Sequence, residues 1–339
     1  MKINARTCAA VLVAALVGAF GSPAAAQITW KASIWGERRT SSEPIEWYAK
    51  QVAAKTGGQM KIQVVYGHDK GDAAADQLKS GAADGAYFCT SYYGDKMPLT
   101  TVIELPMFAP ESIPVLGRVE LALADHPAIQ EELRKWNVKM LVPAPLPHHQ
   151  LMGTRRIARI DDLRGAKIRI SAEMGKIFEE FGATTLHMSG PEAYGALKGG
   201  TLDAYATSYP VTFASYKLHE VSKYVTDRIS LGAQLCYFGV SLKAWDALPA
   251  KTRQVMQSLR QPAVEKYEEI YAREDAATIA AFKQRGLEFV PFSTTDRARL
   301  VAKAIKYWQA WIDEREKQGL KGREVFEFTQ AKIREFGRK

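Results

Sequence analysis

The stretch DDLRGAKIRI, residues 161–170, places two cationic side chains among residues that alternate as in a β-strand. With a period of two, Ile168 and Ile170 fall on one face and Lys167 and Arg169 on the other. A guanidinium stays charged and presents a planar fork of donors, which suits it to gripping both oxygens of a carboxylate. By pattern alone, an arginine that points into solvent from an exposed strand is an equal alternative. Arg169 is therefore a candidate anion-binding residue.

Some side chains elsewhere in the sequence are of types that could catalyse a reaction. A hydrolase or lyase would use His149 as a base with Ser91 or Cys89 as the nucleophile. The chain contains neither a G-x-S-x-G nucleophile elbow nor an H-E-x-x-H zinc motif. Its histidines and cysteines show no metal-ligand spacing. We therefore expect a protein that is not an enzyme and that uses no metal or other cofactor.

The N-terminus has the features of a secretory signal peptide. Lys2 and Arg6 precede the apolar run CAAVLVAALVGAF, which ends in the small-residue stretch GSPAAAQ. That run is shorter than the roughly 18 to 20 residues of a membrane-spanning helix. We expect residues 1–26 to be removed by cleavage after Ala26, and the mature chain to be exported without spanning the membrane.

Composition argues against some classes of partner. The 339 residues include 46 Lys and Arg against 37 Asp and Glu, a formal net charge of +9. These basic residues are dispersed among acids, as in KYEEIYARED, which favours a solvated surface over a nucleic-acid partner. Apart from Cys8 in the signal peptide, the cysteines are Cys89 and Cys236. One disulfide bond and two separate buried thiols are both compatible with that count.

Predicted strands and helices alternate along the chain. The strand ITWKASIW is followed by the helix SSEPIEWYAKQVAAKTGG, with Ser42 as N-cap and Gly57 as its stop. The strand MKIQVVY, the short helix DAAADQLKSG and the strand DGAYFCTSYY come next. This β-α-β-α-β order predicts a mostly parallel sheet, whose ligands gather at the carboxyl ends of the strands. The alternation recurs in the second half of the chain and predicts two α/β lobes.

The C-terminal third is predicted to be largely helical. Residues 247–286 have a helical pattern for most of their length, although Pro262 must kink or break the helix. The segment is long enough to brace both lobes. Two basic, largely helical stretches close the chain.

An ordered series of motifs resembles a known family. After the signal peptide come GDAAADQLKSGAADGAYFCTS, LRGAKIRI, PEAYGALKGGTLDAYATSY, HEVSKYV and GVSLKAWDALPAKTRQVM. The series resembles the extracytoplasmic solute-binding proteins of tripartite ATP-independent periplasmic (TRAP) transporters, of the dicarboxylate-binding-protein-like family. The resemblance implies a two-lobed α/β periplasmic-binding-protein fold, each lobe a mixed sheet flanked by helices, with crossing strands and a long helix spanning both lobes.

The resemblance also implies the domain limits and the function. Lobe I would comprise residues 27–146 with about 237–265, and lobe II residues 147–236 with about 266–339, including the C-terminal helices. The protein would capture a small organic acid in the periplasm and deliver it to the integral membrane subunits of a TRAP transporter. A binding protein that feeds a periplasmic sensor is the alternative from the same fold.

Within this resemblance Arg169 occupies the place of the arginine that pairs with the ligand's carboxylate. Many members carry a second arginine twenty residues earlier, where this chain has His149. We expect His149 to be a pocket residue that adds less fixed charge than arginine. An ordinary pair of strand-end histidines, His148 and His149, is the alternative.

Approximate alignment to the family adds further ligand-binding candidates at the strand ends: Trp35, Cys89, Ser91, Tyr92, Thr207 and Tyr209. Core packing is the alternative for each of them, and the favoured role for Tyr205 and Phe213. Aromatic rings near the cleft are able to stack on a flat ligand. The expected ligand is a monocarboxylate with an apolar or aromatic body, or a 2-oxo or 2-hydroxy acid, in preference to a sugar acid.

Overall fold

The computed structural model describes residues 27–67 and 73–338, so the predicted signal peptide lies outside the described residues. The described chain forms two mixed sheets flanked by helices, which confirms the predicted α/β class and two-lobed architecture. We call the parts built on the first and second sheet the first and second lobe. The strands are β1 (Ile28–Ile34), β2 (Met60–Tyr66), β3 (Gly85–Cys89), β4 (Val138–Pro145), β5 (His149–Gly153), β6 (Lys167–Arg169), β7 (Thr184–Leu186), β8 (Ala204–Ser208), β9 (Tyr224–Asp227), β10 (Leu235–Ser241) and β11 (Glu288–Pro291).

Helices cover the faces of both sheets. They are α1 (Glu43–Lys55), α2 (Ala74–Ser80), α3 (Ile113–Ala124), α4 (Pro127–Arg134), α5 (Ala172–Glu179), α6 (Gly190–Lys198), α7 (Val211–Ser215), α8 (Leu242–Asp246), α9 (Ala250–Ser258), α10 (Arg260–Gln284), α11 (Thr294–Lys317) and α12 (Gly322–Gly337). Among the described residues, no helix has the combined length and apolar character needed to cross a bilayer.

The first sheet has the order β2-β1-β3-β10-β4. Strand β1 runs parallel to β2 and β3, as the β-α-β-α-β pattern predicts, while β10 is antiparallel to β3 and β4. Helix α1 begins directly after Ser42, and Gly57 lies just beyond its end with a φ of +59°. Its buried residues recur at i, i+3, i+4 and i+7, the spacing of a helix with one apolar face: Ile45, Tyr48, Ala49 and Val52.

The second sheet has the order β11-β9-β5-β8-β6-β7. Its short strand β6 runs parallel to β7 and β8. In β6 the predicted alternation is only partly realised, because Lys167 is exposed whereas both Ile168 and Arg169 are buried. Arg169 is the last residue of β6, so its side chain lies at the carboxyl edge of the parallel strands, where such sheets bind ligands.

In the described part of the chain, two extended segments and the long helix α10 link the lobes, and α11 links them again. Residues 146–148 join β4 to β5, and residues 228–234 join β9 to β10. Helix α10 contributes Tyr267 and Tyr271 to the core of the first lobe and Phe282 to the core of the second, as predicted for a helix spanning both. The predicted break at Pro262 is confirmed, because α9 ends at Ser258 and Pro262 lies in the first turn of α10.

The C-terminal helices differ from the expected assignment to the second lobe. Helix α11 contributes Leu300 to the second-lobe core, but Trp311 nearer its end belongs to the first-lobe core. Helix α12 packs on α3, with Val325 and Phe326 in the first-lobe core. An amphipathic pattern shows that a helix has an apolar face but not which lobe that face covers, so the expectation was wrong for α12.

Candidate ligand-binding site

A cavity lies between the two sheets, where strand ends from both lobes meet. Its volume is about 30 Å³, which is room for one or two water molecules. Pockets that hold small organic ligands measure about 300 to 1,000 Å³, so this cavity must widen to hold such a ligand. The cavity is lined by Trp35, Arg39, Thr40, Ser41, Tyr87, Cys89, Tyr92, Leu146, Gln234 and Cys236 on one side, and by Arg169, Tyr205, Thr207, Ser208, Val211, Thr212, Ser215 and Tyr216 on the other.

Arg169 contributes a buried guanidinium to this cavity. Only 3% of the residue is exposed. Its Nε donates to the carbonyl oxygen of Met188 at 2.8 Å, and its Nη1 donates a longer bond to that of Ala206 at 3.4 Å. The Cζ atom lies 4.6 Å from the ring centroid of Tyr205. These neutral partners fix the orientation of the guanidinium without neutralising its charge.

The charge of Arg169 lacks a matching carboxylate in the described part of the chain, where none forms a salt bridge with it. Glu104 interacts electrostatically with Arg169; it is buried and accepts a hydrogen bond from the Thr90 hydroxyl at 2.5 Å. Burial raises the pKa of Glu104 to about 8, so this carboxyl group is mostly neutral at pH 7. An unpaired buried charge is costly, and an anion in the cavity would compensate it.

Four other predicted residues also line the cavity: Trp35, Cys89, Tyr92 and Thr207. The rings of Trp35 and Tyr92 meet edge to face with their centroids 6.2 Å apart. The cavity wall thus carries aromatic side chains beside a larger number of uncharged polar ones: Thr40, Ser41, Thr207, Ser208, Thr212, Ser215 and Gln234. Tyr205 was expected to be core, and it is buried, but it also lies beneath the guanidinium of Arg169.

Cys89 and Cys236 form a disulfide bond, which resolves the alternatives left by the cysteine count. The two residues are directly paired in the antiparallel strands β3 and β10. Both line the cavity. Cys89 therefore contributes an apolar disulfide surface to the site rather than a thiol.

His149 does not line the cavity, contrary to expectation. It is 2% exposed and lies at the crossing between the lobes, where its Nδ1 donates to the carbonyl oxygen of Gly232 at 3.2 Å. Its backbone also bonds to Gly232 and Leu231. Burial, with a contribution from the nearby charge of Arg169, lowers the pKa of His149 to about 3, so the ring is neutral. His149 joins the two crossing segments instead of facing a ligand.

Ser91 and Tyr209 are also outside the cavity lining. The Ser91 hydroxyl accepts a hydrogen bond from the side-chain amide of Gln234, which does line the cavity. Ser91 therefore acts by positioning Gln234. Tyr209 packs beside Phe213, with ring centroids 6.4 Å apart, in the core of the second lobe.

Sequence reasoning missed a second arginine in the lining, Arg39. The sequence did indicate this position, because Arg39 lies in the loop after Trp35, at a strand end where a ligand was expected. Gln234 was missed because it lies in a crossing segment without a regular pattern. Tyr216 was missed because only the chain turn after α7 brings it to the cavity.

The residues weighed as a catalytic set are not brought together. His149 bonds to Gly232, Cys89 is in a disulfide bond, and the Ser91 hydroxyl faces Gln234. A nucleophile and its base must lie within hydrogen-bonding reach of each other. The described geometry supports a binding cavity instead.

Two comparisons with protein sequences agree with this architecture. Residues 32–315 match the sequence model of the family described as bacterial extracellular solute-binding protein, family 7. A protein from Chromohalobacter salexigens named solute-binding protein is 26% identical over 273 residues, which cover 78% of this chain and 79% of that protein.

Solved structures share the fold at low sequence identity. A marine metagenome TRAP solute binding protein, described as specific for aromatic acid ligands, has a TM-score of 0.81 and 20% identity and covers 91% of this chain and 99% of its own. A TRAP periplasmic solute binding protein from Sulfitobacter sp. NAS-14.1, with bound β-D-galacturonate, has a TM-score of 0.77 and 18% identity and covers 89% of this chain and 99% of its own. Because the family model matches most of the chain, the resemblance noted in the sequence is confirmed: the protein belongs to family 7 of the bacterial extracellular solute-binding proteins.

Proposed function

We propose that the protein captures a small organic carboxylate between its two lobes in the periplasm and delivers it to the membrane subunits of a TRAP transporter. One observation carries the proposal: a buried guanidinium, Arg169, lies in the interlobe cavity without a salt-bridge partner among the described residues. Its fork geometry suits a carboxylate, and the charge-assisted bonds so formed are the strong class of hydrogen bond. A carboxylate would supply the missing counter-charge.

Capture would involve movement of the lobes about the crossing segments. Arg169 belongs to the second lobe, whereas Trp35 and Tyr92 belong to the first. A ligand that touches both walls favours the closed state, because it makes both sets of contacts only there. We assign residues 27–146 with about 235–271 to lobe I and residues 147–234 with about 272–293 to lobe II, because Cys236, Tyr267 and Tyr271 pack in the first-lobe core. Helix α11 would bridge the lobes, and α12 would belong to lobe I.

The ligand's body would be apolar or aromatic. The rings of Trp35, Tyr92 and Tyr205 provide surfaces that stack on a flat body, and they are the support for preferring such a body to a sugar acid. Among similar structures, the marine metagenome protein has an aromatic acid specificity and holds metahydroxyphenylacetate, whereas the Sulfitobacter protein holds a uronate. The neighbours thus support an acid, and the aromatic side chains of the lining are the reason for proposing the apolar or aromatic kind.

The number of acidic groups on the ligand depends on the cationic residues that line the cavity. A single carboxylate was expected because His149 would add little charge to the pocket. His149 lies at the lobe crossing, and a second arginine lines the cavity instead. The position of His149 therefore does not limit the ligand to a single carboxylate.

Thermal-shift screening of the purified mature protein tests this function. The panel contains aromatic acids, aliphatic acids, 2-oxo and 2-hydroxy acids, and uronic and sialic acids. We expect stabilisation by acids with an apolar or aromatic body or by 2-oxo or 2-hydroxy acids. Native mass spectrometry of the protein as purified identifies any acid that it retains. Stabilisation by uronic and sialic acids alone would refute the ligand class, and stabilisation by no acid would refute the function.

A further inference from the structure

Arg39 places a second guanidinium in the interlobe cavity, on the lobe opposite Arg169. It follows β1 in the loop that leads to α1. Its Nη1 donates to the carbonyl oxygens of Trp35 at 2.6 Å and Glu37 at 3.0 Å. The guanidinium Cζ lies 4.0 Å from the ring centroid of Trp35, so the two side chains are stacked. The loop itself thus holds Arg39 in place before any ligand arrives.

Gly36 allows this arrangement. Its φ of +70° lies in the left-handed region, which turns the loop back on itself. A Cβ atom at this position would lie 3.4 Å from Nη1 of Arg39. The turn at Gly36 therefore brings Nη1 to the backbone carbonyls and leaves Nη2 for another partner.

Two buried donors on this loop have no hydrogen-bond partner among the described residues. They are Nη2 of Arg39 and Nε1 of Trp35, and both side chains line the cavity. Buried N–H groups are almost always satisfied in native proteins, so each unpartnered donor needs an explanation. Both atoms are donors, so each requires an acceptor that the described residues do not supply.

Arg39 also lacks a counter-charge in the described chain, where it takes part in no salt bridge. Its neighbour Arg38 differs in this respect, because it is bonded to Glu43 and Glu46. The cavity therefore holds two guanidinium groups, Arg39 and Arg169, and no carboxylate of the described residues forms a salt bridge with either.

Arg39 stands at the boundary of the inner cavity with a larger outer one. The outer cavity has a volume of about 750 Å³, and Trp35, Arg39 and Tyr216 line both. A flat acid anchored on Arg169 in the second lobe would extend across the cleft towards this boundary. Its far end would then meet the unpartnered donors of the first lobe.

We propose that Arg39 is a specificity-determining residue that binds a second acceptor on the ligand, at the end opposite the carboxylate held by Arg169. The inference rests on the proposed function and deepens it. The preferred class is an acid with a second anionic group at its far end, because two cations then meet two anions. A hydroxyl at the same end satisfies the donors without supplying the second charge.

Calorimetry with matched ligands and matched variants tests the inference. The aromatic series is para-toluate, para-hydroxybenzoate and terephthalate, and the aliphatic pair is hexanoate and adipate. In at least one series we expect the diacid to bind the wild-type protein about tenfold or more tightly than its monoacid. Arg39→Gln should abolish that preference, because it should weaken diacid binding by a much larger factor than monoacid binding. Arg39→Lys should restore part of it by restoring the charge.

Arg38→Gln is the matched control. It removes the same charge one residue away, from a side chain that lines only the outer cavity and is already paired. We expect it to change the affinity of mono- and diacids by less than about threefold. An equal loss of diacid preference in Arg38→Gln would overturn the inference, because general attraction by positive charge would then explain it.

Further outcomes separate this inference from the proposed function. Equal binding of mono- and diacids by the wild-type protein overturns the inference alone. An equal loss of mono- and diacid affinity in Arg39→Gln, together with a lowered melting temperature, also overturns the inference. It would mean that Arg39 only supports its loop. If no acid in either series binds, the proposed function falls and the inference with it. Loss of all acid binding in Arg169→Ala, with loss of only the diacid preference in Arg39→Gln, supports both.

Discussion

Arg169 lies directly opposite Tyr205 in the parallel pair of β6 and β8, with its guanidinium Cζ 4.6 Å from the centroid of that ring. Residues paired in this way point to the same face of a sheet. The ring covers one face of the guanidinium, and a cation over an aromatic ring gains about 0.5 to 2 kcal/mol. The N–H edges that are not bonded to Met188 and Ala206 remain for an anion. This arrangement leads to the first prediction.

Arg169→Ala should abolish detectable binding of the acid identified by screening. Loss of two charge-assisted hydrogen bonds costs about 3 kcal/mol or more, roughly a 150-fold loss of affinity. Arg169→Lys keeps the charge without the fork, so it should retain only a remnant. Calorimetry measures both variants, and circular dichroism confirms that they are folded.

Arg156→Ala is the control for this experiment, because Arg156 is an exposed arginine of the same lobe, paired with Glu288. It should leave the affinity unchanged. Without ligand, Arg169→Ala should melt no lower than the wild-type protein, since it removes a buried and unpaired charge. An affinity of Arg169→Ala within about threefold of wild type would refute the anchor role.

Glu104 should make the protein less stable as the pH rises. Burial raises its pKa in the folded state to about 8 from the ordinary 4.5. Its contribution to stability is therefore complete below about pH 4.5 and is lost as the pH rises through about 8. Within this window the free energy of unfolding should fall by up to about 1.4 kcal/mol per pH unit. Urea unfolding at several pH values measures the slope.

Glu104→Gln should flatten that slope. Glu132 adds a slope of the same sign, because burial raises its pKa to about 7, so the informative quantity is the difference between variant and wild type. If the free energy of unfolding changes with pH equally in the two proteins, Glu104 is ionised throughout the pH range measured.

Ligand affinity should follow the same titration. Above about pH 8 the Glu104 carboxylate is charged and attracts Arg169 in competition with the ligand. Acid binding by the wild-type protein should therefore weaken between pH 7 and pH 9. In Glu104→Gln it should not weaken, and calorimetry at both pH values distinguishes the two behaviours.

Removal of the disulfide bond should destabilise the first lobe. Cys89 and Cys236 are separated by 147 residues, so their bond restricts a long loop in the unfolded chain. The double variant Cys89→Ala with Cys236→Ala should lose about 2 to 5 kcal/mol of unfolding free energy. Reduction of the wild-type protein should cause a similar loss, and a reductant should have no effect on the double variant. Equal stability of the oxidised protein and the double variant would contradict this prediction.

Local patterns predicted the parts of the structure that depend on neighbouring residues. The alternation around Ile168, the strand end at Trp35 and the start of α1 after Ser42 each follow from a few adjacent side chains. Arg169 was found because its strand motif, AKIRI, resembles the motif that carries the family's carboxylate-binding arginine, whereas the pattern alone left a solvent-facing role equally open. These features form the framework of the cavity.

Positions that depend on distant partners were not predictable in this way. The ring of His149 is directed by a bond to Gly232, 83 residues further along the chain. Arg39 is held by backbone carbonyls in an irregular loop, whose path depends on the left-handed turn at Gly36. Helix α12 covers the first lobe because Phe326 finds its apolar partners there. None of these pairings has a local periodicity.

His149→Asn tests the role at the lobe crossing that the structure gives to this residue. An asparagine amide retains a donor for the Gly232 carbonyl but does not titrate. Because burial lowers the folded-state pKa of His149 to about 3 from 6.5, its contribution to stability is complete above pH 6.5 and is lost as the pH falls through about 3. The variant should therefore lose less unfolding free energy than the wild-type protein between pH 7 and pH 4.

Calorimetry provides the second measurement on His149→Asn. Since His149 does not line the cavity, acid affinity at neutral pH should stay within about threefold of wild type. A folded variant with a much larger loss of affinity would mean that the imidazole reaches the ligand after all. His148, whose pKa burial also lowers, remains in both proteins, so the difference between them isolates the titration of His149.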